Sequence, residues 1–213
     1  MRLLDISVPL SDGMAAWPGS PGYRTESLLA IERSDPANVT SINMDLHTGT
    51  HVDAPRHFLE HGGTMDEIPL HRYFGPCIVV EVSARARITS ADLEEVDIAR
   101  GCERLLLRTK NSDPEWLAED ADFKSDFAAL TPDAADWIVR RGIRLVGIDY
   151  MSIELFDGDG AVHRALLSAG VLILEGLRLG HVVPGAYEFI CFPVFAADCE
   201  AAPVRAVLRD VTS

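Results

Sequence analysis

Residues 47–57 read His-Thr-Gly-Thr-His-Val-Asp-Ala-Pro-Arg-His, and they restrict the local fold more than any other part of the chain. Three of the seven histidines and one aspartate fall at 47, 51, 53 and 57, all odd positions. In an extended chain alternate side chains share a face, so these four stand together while Thr48, Thr50 and Val52 turn away. A helix fails this test. His47 and His51 would meet one turn apart, but Asp53 would swing to the far side, and Gly49 and Pro55 both oppose a helix interior. The same parity runs upstream, with Ile42, Met44 and Leu46 apolar and Asn43, Asp45 and His47 polar. It predicts a half-buried strand leading into an irregular extended segment. Imidazole nitrogens and a carboxylate oxygen gathered at one point make a donor set for a divalent ion of the zinc or manganese type. The plainer alternative is a polar strand face with ordinary, satisfied histidines.

Around this stretch, apolar runs of strand length alternate with helical patterns. Residues 77–82, 105–107, 145–149 and 171–175 are aliphatic runs suited to buried strands. Between them, 89–95 begins with a hydroxyl residue and early acids, the mark of a helix start. The clearest helix is 131–142, with Thr131 as cap, Pro132 in the first turn, arginines late and Gly142 as the stop. A shorter helix is predicted over 161–169, closed by Gly170. An opening strand near Leu3 to Pro9, a polar loop after Arg108 through Trp116, and closing strands at 187–193 and 203–208 complete the pattern. Strand, helix, strand alternation predicts an α/β fold. At 213 residues, with no repeat, linker or low-complexity tract, 1–213 is expected to be a single domain, its mixed β-sheet packed by helices and its metal site at the sheet edge.

A formal net charge of −14 leaves no basic stripe to neutralise phosphates, so a nucleic-acid partner is not expected. No run approaches the length of a membrane span, and the N-terminus lacks the basic and apolar regions of a signal peptide. Cys77, Cys102, Cys191 and Cys199 are scattered without a CxxC pair, and reduced thiols in a cytoplasmic protein are expected. His61 and His71 fall outside the parity and are expected at the surface. On spacing alone, His163 on a helix and Glu175 at a strand end are ordinary as well. Trp17, in the Pro- and Gly-rich stretch 16–22, reads on composition as a plug at the core edge.

The pattern His47-x-Gly49-Thr50-His51-x-Asp53-x-Pro55-x-His57 resembles the signature of the cyclase-family metal hydrolases, whose best-known members are the bacterial kynurenine formamidases, or arylformamidases. The resemblance implies that His47, His51 and Asp53 bind metal and that His57 moves protons. Trp17-Pro18-Gly19 is similar to a loop in which the Trp lines the substrate site, although Ser20 stands where those enzymes usually have Asp. Leu174-Glu175-Gly176-Leu177, with His163 twelve positions before Glu175, resembles the late His and Glu that complete a two-metal site, which implies that both are ligands. After Asp149 the chain reads Tyr150-Met151-Ser152-Ile153-Glu154, whereas kynurenine formamidases usually have Thr-Pro-Ser followed by an acid.

Five ligands exceed what one tetrahedral zinc with an open position requires. They suit two divalent ions sharing a carboxylate, zinc first and manganese second. Such a pair acidifies a water and polarises a carbonyl oxygen. The implied partner is a small-molecule amide: N-formyl-kynurenine, cleaved to kynurenine and formate, with Trp17 against its ring. Alternatives are an isatin-like lactam, another small amide or ester, or a metal-binding family member without catalysis. The lack of a Gly-x-Ser-x-Gly elbow argues against a serine-hydrolase route, and the lack of GxGxxG or P-loop sequences against a nucleotide enzyme. The resemblance further implies a homodimer or homotetramer.

Overall fold

The aliphatic runs that begin near residues 77, 105, 145 and 172 lie side by side in the middle of one nine-stranded mixed sheet. The structure, a computed structural model, describes residues 2–82, 86–112, 116 and 121–210. In chain order the elements are β1 (Leu3–Asp5), β2 (Arg24–Leu29), β3 (Val39–Asn43), β4 (His51–Asp53), β5 (Phe74–Glu81), β6 (Arg87–Ile88), α1 (Ser90–Glu94) and β7 (Arg104–Arg108). They continue with β8 (Ala129–Leu130), α2 (Pro132–Arg140), β9 (Leu145–Ile148), α3 (Ala161–Ser168), β10 (Leu172–Glu175), β11 (Gly185–Ile190), β12 (Ala201–Pro203) and β13 (Val207–Asp210). The main sheet runs β1-β13-β11-β5-β7-β9-β10-β4-β12. Its centre, β5-β7-β9-β10, is parallel, and every pair outside it is antiparallel.

Parallel strands are covered on both faces, which is why these runs are continuously apolar rather than alternating. Successive residues of β7 serve different cores. Leu105 and Leu107 join Leu93 of α1, Ile138 of α2 and Leu166 of α3, whereas Leu106 joins Val52, Val79, Leu174 and Phe189 on the other face. Gly147 faces that second core, where a Cβ would come 2.6 Å from Leu106 Cδ2 and 2.8 Å from Leu177 Cδ1. The sheet curls: Ile6 donates to the Ala206 carbonyl at 3.1 Å and accepts from Arg178 N–H at 2.9 Å, and Ser7 bridges to Leu177. The segment after β1 thereby meets the segment after β10.

This is the α/β fold expected, with three local differences. The strand predicted through 42–46 stops at Asn43 and is not half-buried, for Ile42 is 58% exposed. Its partner is β2 in a separate two-stranded ribbon, so no core covers its apolar side chains. The strand predicted at 203–208 is two strands. β12 ends at Pro203, which has no N–H to continue a ladder, and β13 starts at Val207 on the other side of the sheet. Thr131 precedes α2, but its hydroxyl bonds the Ile88 carbonyl and Asp133 instead of capping the helix. The helix start expected at Thr89 does form, closed by a capping box with Asp92. The polar loop expected through Trp116 lies partly outside the described residues. All four cysteines are free. Among the described residues, no helix is long and apolar enough to cross a membrane.

Candidate metal centre

Strand register builds the centre. β4 lies between β10 and β12, with His51 opposite Glu175 and Asp53 opposite Ile173. Cross-strand neighbours share a face, so His51, Asp53 and Glu175 project together. Val52 and Leu174 point the other way into the second core. The turn beside them is held by close backbone approach. Gly176 has φ +69°, and a Cβ there would fall 2.1 Å from the Gly49 oxygen. Thr50 ties it down, its hydroxyl donating to the Gly176 carbonyl at 2.6 Å and accepting from Val8 N–H at 2.8 Å.

The odd-numbered residues of 47–57 do converge, though not on one extended strand. Only His51 and Asp53 share a strand. His47 sits in a turn over 46–50, where Asp45 Oδ1 accepts from His47 N–H at 3.1 Å and the Thr48 hydroxyl at 2.8 Å, and Gly49 takes φ +72°. His57 ends a 3-10 turn, Pro55–His57, opened by the proline. Chain bends, rather than pleat, bring these two rings in: His57 lies 4.1 Å from His47 between centroids and 5.9 Å from His163.

The donor spacing fits a metal. His47 Nδ1 is 3.0 Å from Asp53 Oδ1, His51 Nε2 is 3.4 Å from Asp53 Oδ1 and 3.3 Å from Glu175 Oε2, and His163 Nε2 is 3.3 Å from Glu175 Oε1. Donors held about 2.1 Å from a tetrahedral ion stand about 3.4 Å apart. Buried His51 Nε2 and both oxygens of Asp53 have no hydrogen-bond partner, although buried polar atoms normally find one. Two overlapping groups offer atoms within 4.8 Å of one another: His51, Asp53 and Glu175, and His47, Asp53 and His57. Asp53 belongs to both. His57, expected only to move protons, therefore also comes within ligand range.

The electrostatics agree with a cluster built for cations. Burial pushes the Glu175 carboxyl up, but the adjacent imidazoles of His163 and His51 hold it far below its usual range. Burial and the Glu175 charge push Asp53 up, and the imidazoles of His47 and His51 outweigh them. Burial alone would lower His51 and His163; the acids around them instead raise the imidazoles to about 9 and about 10. His57 goes the other way, lowered chiefly by burial and further by the neighbouring imidazoles.

Two participants carry no signal of their own in the sequence. Glu154 is buried with its Oε2 2.7 Å from His163 Nδ1, and it accepts from Gly160 N–H at 2.8 Å and His163 N–H at 3.2 Å. Phe58 stacks on His163, with centroids 4.3 Å apart at 13°. A ligand-bearing helix could have been searched for a buried acid, but the loop that supplies Glu154 is recognisable only once folded.

The cluster opens into a cavity of about 500 Å³. Trp17 stands on its wall, 37% exposed, with its ring edge-on to Phe123, Phe127 and Phe156 at 5.0, 6.2 and 5.5 Å. Ser20, on the same loop, donates to Asp45. His61 and His71 are exposed and do not line the cavity.

The chain is similar to known proteins over nearly its whole length. The profile of the family described as "Putative cyclase" matches residues 4–155. A protein named kynurenine formamidase from Bacillus thuringiensis (strain Al Hakam) is 37% identical over 209 residues, 98% of this chain and 97% of that protein. A structure described as a potential metal-dependent hydrolase with cyclase activity superposes with a TM-score of 0.83 at 35% identity, covering 97% of this chain and 96% of that one. Isatin hydrolase A from Labrenzia aggregata, bound to benzyl benzoate, shares the fold with a TM-score of 0.80 at 22% identity, over 97% and 93% of the two chains.

Proposed function

The chain belongs to the cyclase family, and from that membership we propose that it is a metal-dependent amide hydrolase, an arylformamidase that cleaves N-formyl-kynurenine to kynurenine and formate. His47, His51, Asp53, His163 and Glu175 would hold two divalent ions, zinc first and manganese second. When bound, such ions polarise a carbonyl oxygen and make a water acidic near neutral pH.

The chain's own residues supply the rest. His57, kept neutral at pH 7 by burial, accepts a proton from the attacking water and returns it to the leaving nitrogen. An amide requires that return, because an amide anion leaves poorly. Glu154 accepts from His163 Nδ1, which leaves Nε2 free to ligate. Trp17 offers its face to the aryl ring.

What carries this reading is the trio of buried atoms without hydrogen-bond partners, His51 Nε2 and the two oxygens of Asp53, beside Glu175 and His47, which line an aromatic cavity. Ser20 in place of Asp, and Tyr150 to Glu154 in place of Thr-Pro-Ser and an acid, favour a second reading within the class: an aryl lactam or another small amide. The test is His57→Ala. It should keep its metal and lose about 10²- to 10⁴-fold in kcat. Unchanged kcat on an amide that the wild type cleaves would refute the assigned role. Metal binding with no turnover of any amide by the wild type would leave a binding protein instead.

A further inference from the structure

Given the hydrolase reading, on which this step rests, the charges on the cavity wall decide which amide enters. Met14, Trp17, Phe58, Trp116 and Met151 make much of the cavity wall apolar and aromatic. Among the described residues lining it, none is Lys or Arg.

Among the described residues, two carboxylates line the cavity, Glu175 and Asp45. Glu175 is committed to the metal in the proposed function. Asp45 is not. It is half-buried, and its donors are the hydroxyls of Ser20 and Thr48 and the backbone N–H of His47. None of these three is a cation, so they orient the carboxylate without cancelling its charge. A carboxylate accepts about four hydrogen bonds, which leaves capacity for a ligand donor. Beyond the imidazoles of His47, His57 and His163 at the metal centre, an anion placed in this cavity would find the Asp45 charge and no Lys or Arg among the described residues, whereas a cation would find a partner in Asp45. The chain's net charge of −14 acts in the same sense at longer range.

We propose that the cavity selects aryl amides that are neutral or carry a cationic substituent, that Asp45 faces that cation, and that aryl amides with an anionic ring substituent are disfavoured. For an amino-acid-bearing aryl formamide, the ammonium group turns toward Asp45 and the carboxylate toward the solvent mouth.

The experiment uses formanilide and its 4-aminomethyl and 4-carboxylate derivatives with the metal-loaded protein at pH 7. The para position keeps each charge away from the reacting nitrogen. The aminomethyl compound should equal or exceed the parent in kcat/KM, and both should exceed the carboxylate compound by at least about 10-fold. Asp45→Asn should narrow the aminomethyl-to-carboxylate ratio by about 10-fold. A ratio taken within one variant cancels any general loss of activity. A carboxylate compound within about 2-fold of the parent, or a ratio unchanged in Asp45→Asn, overturns the proposal. If none of the three is hydrolysed, the formamidase reading fails, and selection is read from binding of aniline, 4-aminobenzylamine and 4-aminobenzoate by tryptophan fluorescence. The same charge order then supports the proposal, and equal or reversed affinities overturn it.

Discussion

Replacing Glu154 by Gln removes one negative charge from a buried network while leaving its volume almost unchanged. In the wild type, Oε2 lies 2.7 Å from His163 Nδ1, and the two oxygens also accept the N–H groups of Gly160 and His163. The carboxylate thus fixes which imidazole nitrogen carries the proton and makes the other a better donor, and that other nitrogen lies 3.3 Å from Glu175. Removing an outer partner of this kind costs 10- to 100-fold in metal affinity, or about 1.4–2.7 kcal/mol. A glutamine oxygen can still accept one of the bonds, so the metal-free fold should lose only about 1–2 kcal/mol. The assay is competition for zinc with a chromophoric chelator, with urea unfolding of the stripped proteins to separate folding from ligation. The reasoning predicts a 10- to 100-fold weaker zinc affinity in a variant that still folds. An affinity within about 3-fold of wild type would mean that Glu154 does not orient a ligand.

Three other outcomes are expected. Trp17→Ala should raise KM for an aryl formamide about 10-fold with kcat within about 3-fold, because the ring contacts substrate and not the reacting bond; an unchanged KM would place the ring outside the substrate site. In the metal-free protein His51 and His163 are raised to about 9 and about 10, above the unfolded value of 6.5, so their stabilisation is full below pH 6.5 and lost as pH rises through those values. The Tm of chelator-treated protein should fall between pH 7 and 10 while metal-loaded protein, whose imidazole ligands must be neutral, gains on it; a flat Tm in the stripped protein would contradict the ion pairs. Gly176→Ala forces a side chain into φ +69° with its Cβ 2.1 Å from a backbone oxygen, and should cost at least about 2 kcal/mol in urea unfolding. A loss below about 0.5 kcal/mol would show that the turn yields freely.

Much of the fold was legible because its signals are local. The aliphatic runs and the Pro132 to Gly142 punctuation each describe one element, and each element formed. Two failures were also local in origin. Ile42 and Met44 alternate like half-buried strand residues, but alternation does not say which sheet a strand joins, and β3 joined a ribbon with no core. The run from Pro203 to Leu208 looks continuous, yet the missing proline N–H and the bond from Ala206 N–H to the Ser7 hydroxyl, 199 residues away, divide it.

The site was legible in composition more than in geometry. Odd parity selected four residues that the fold brings together, but only His51 and Asp53 owe their common face to it; His47 and His57 arrive through turns set by Gly49 and Pro55. His163 and Glu175 carried no signal apart from the family pattern, since what unites them is the pairing of β10 with β4 and the packing of α3 on β10. Ser20 looked like a missing acid in the sequence. In the fold it is the donor to Asp45, an acid supplied by a different segment.

The most direct measurement is hydrolysis of N-formyl-kynurenine by protein stripped of metal and then reconstituted separately with zinc and with manganese, with bound metal counted per chain. The account predicts negligible activity in the stripped protein, and recovery to a kcat/KM of at least about 10⁴ M⁻¹s⁻¹ as two ions bind. Activity that survives stripping, or a reconstituted protein that binds no metal, would contradict it.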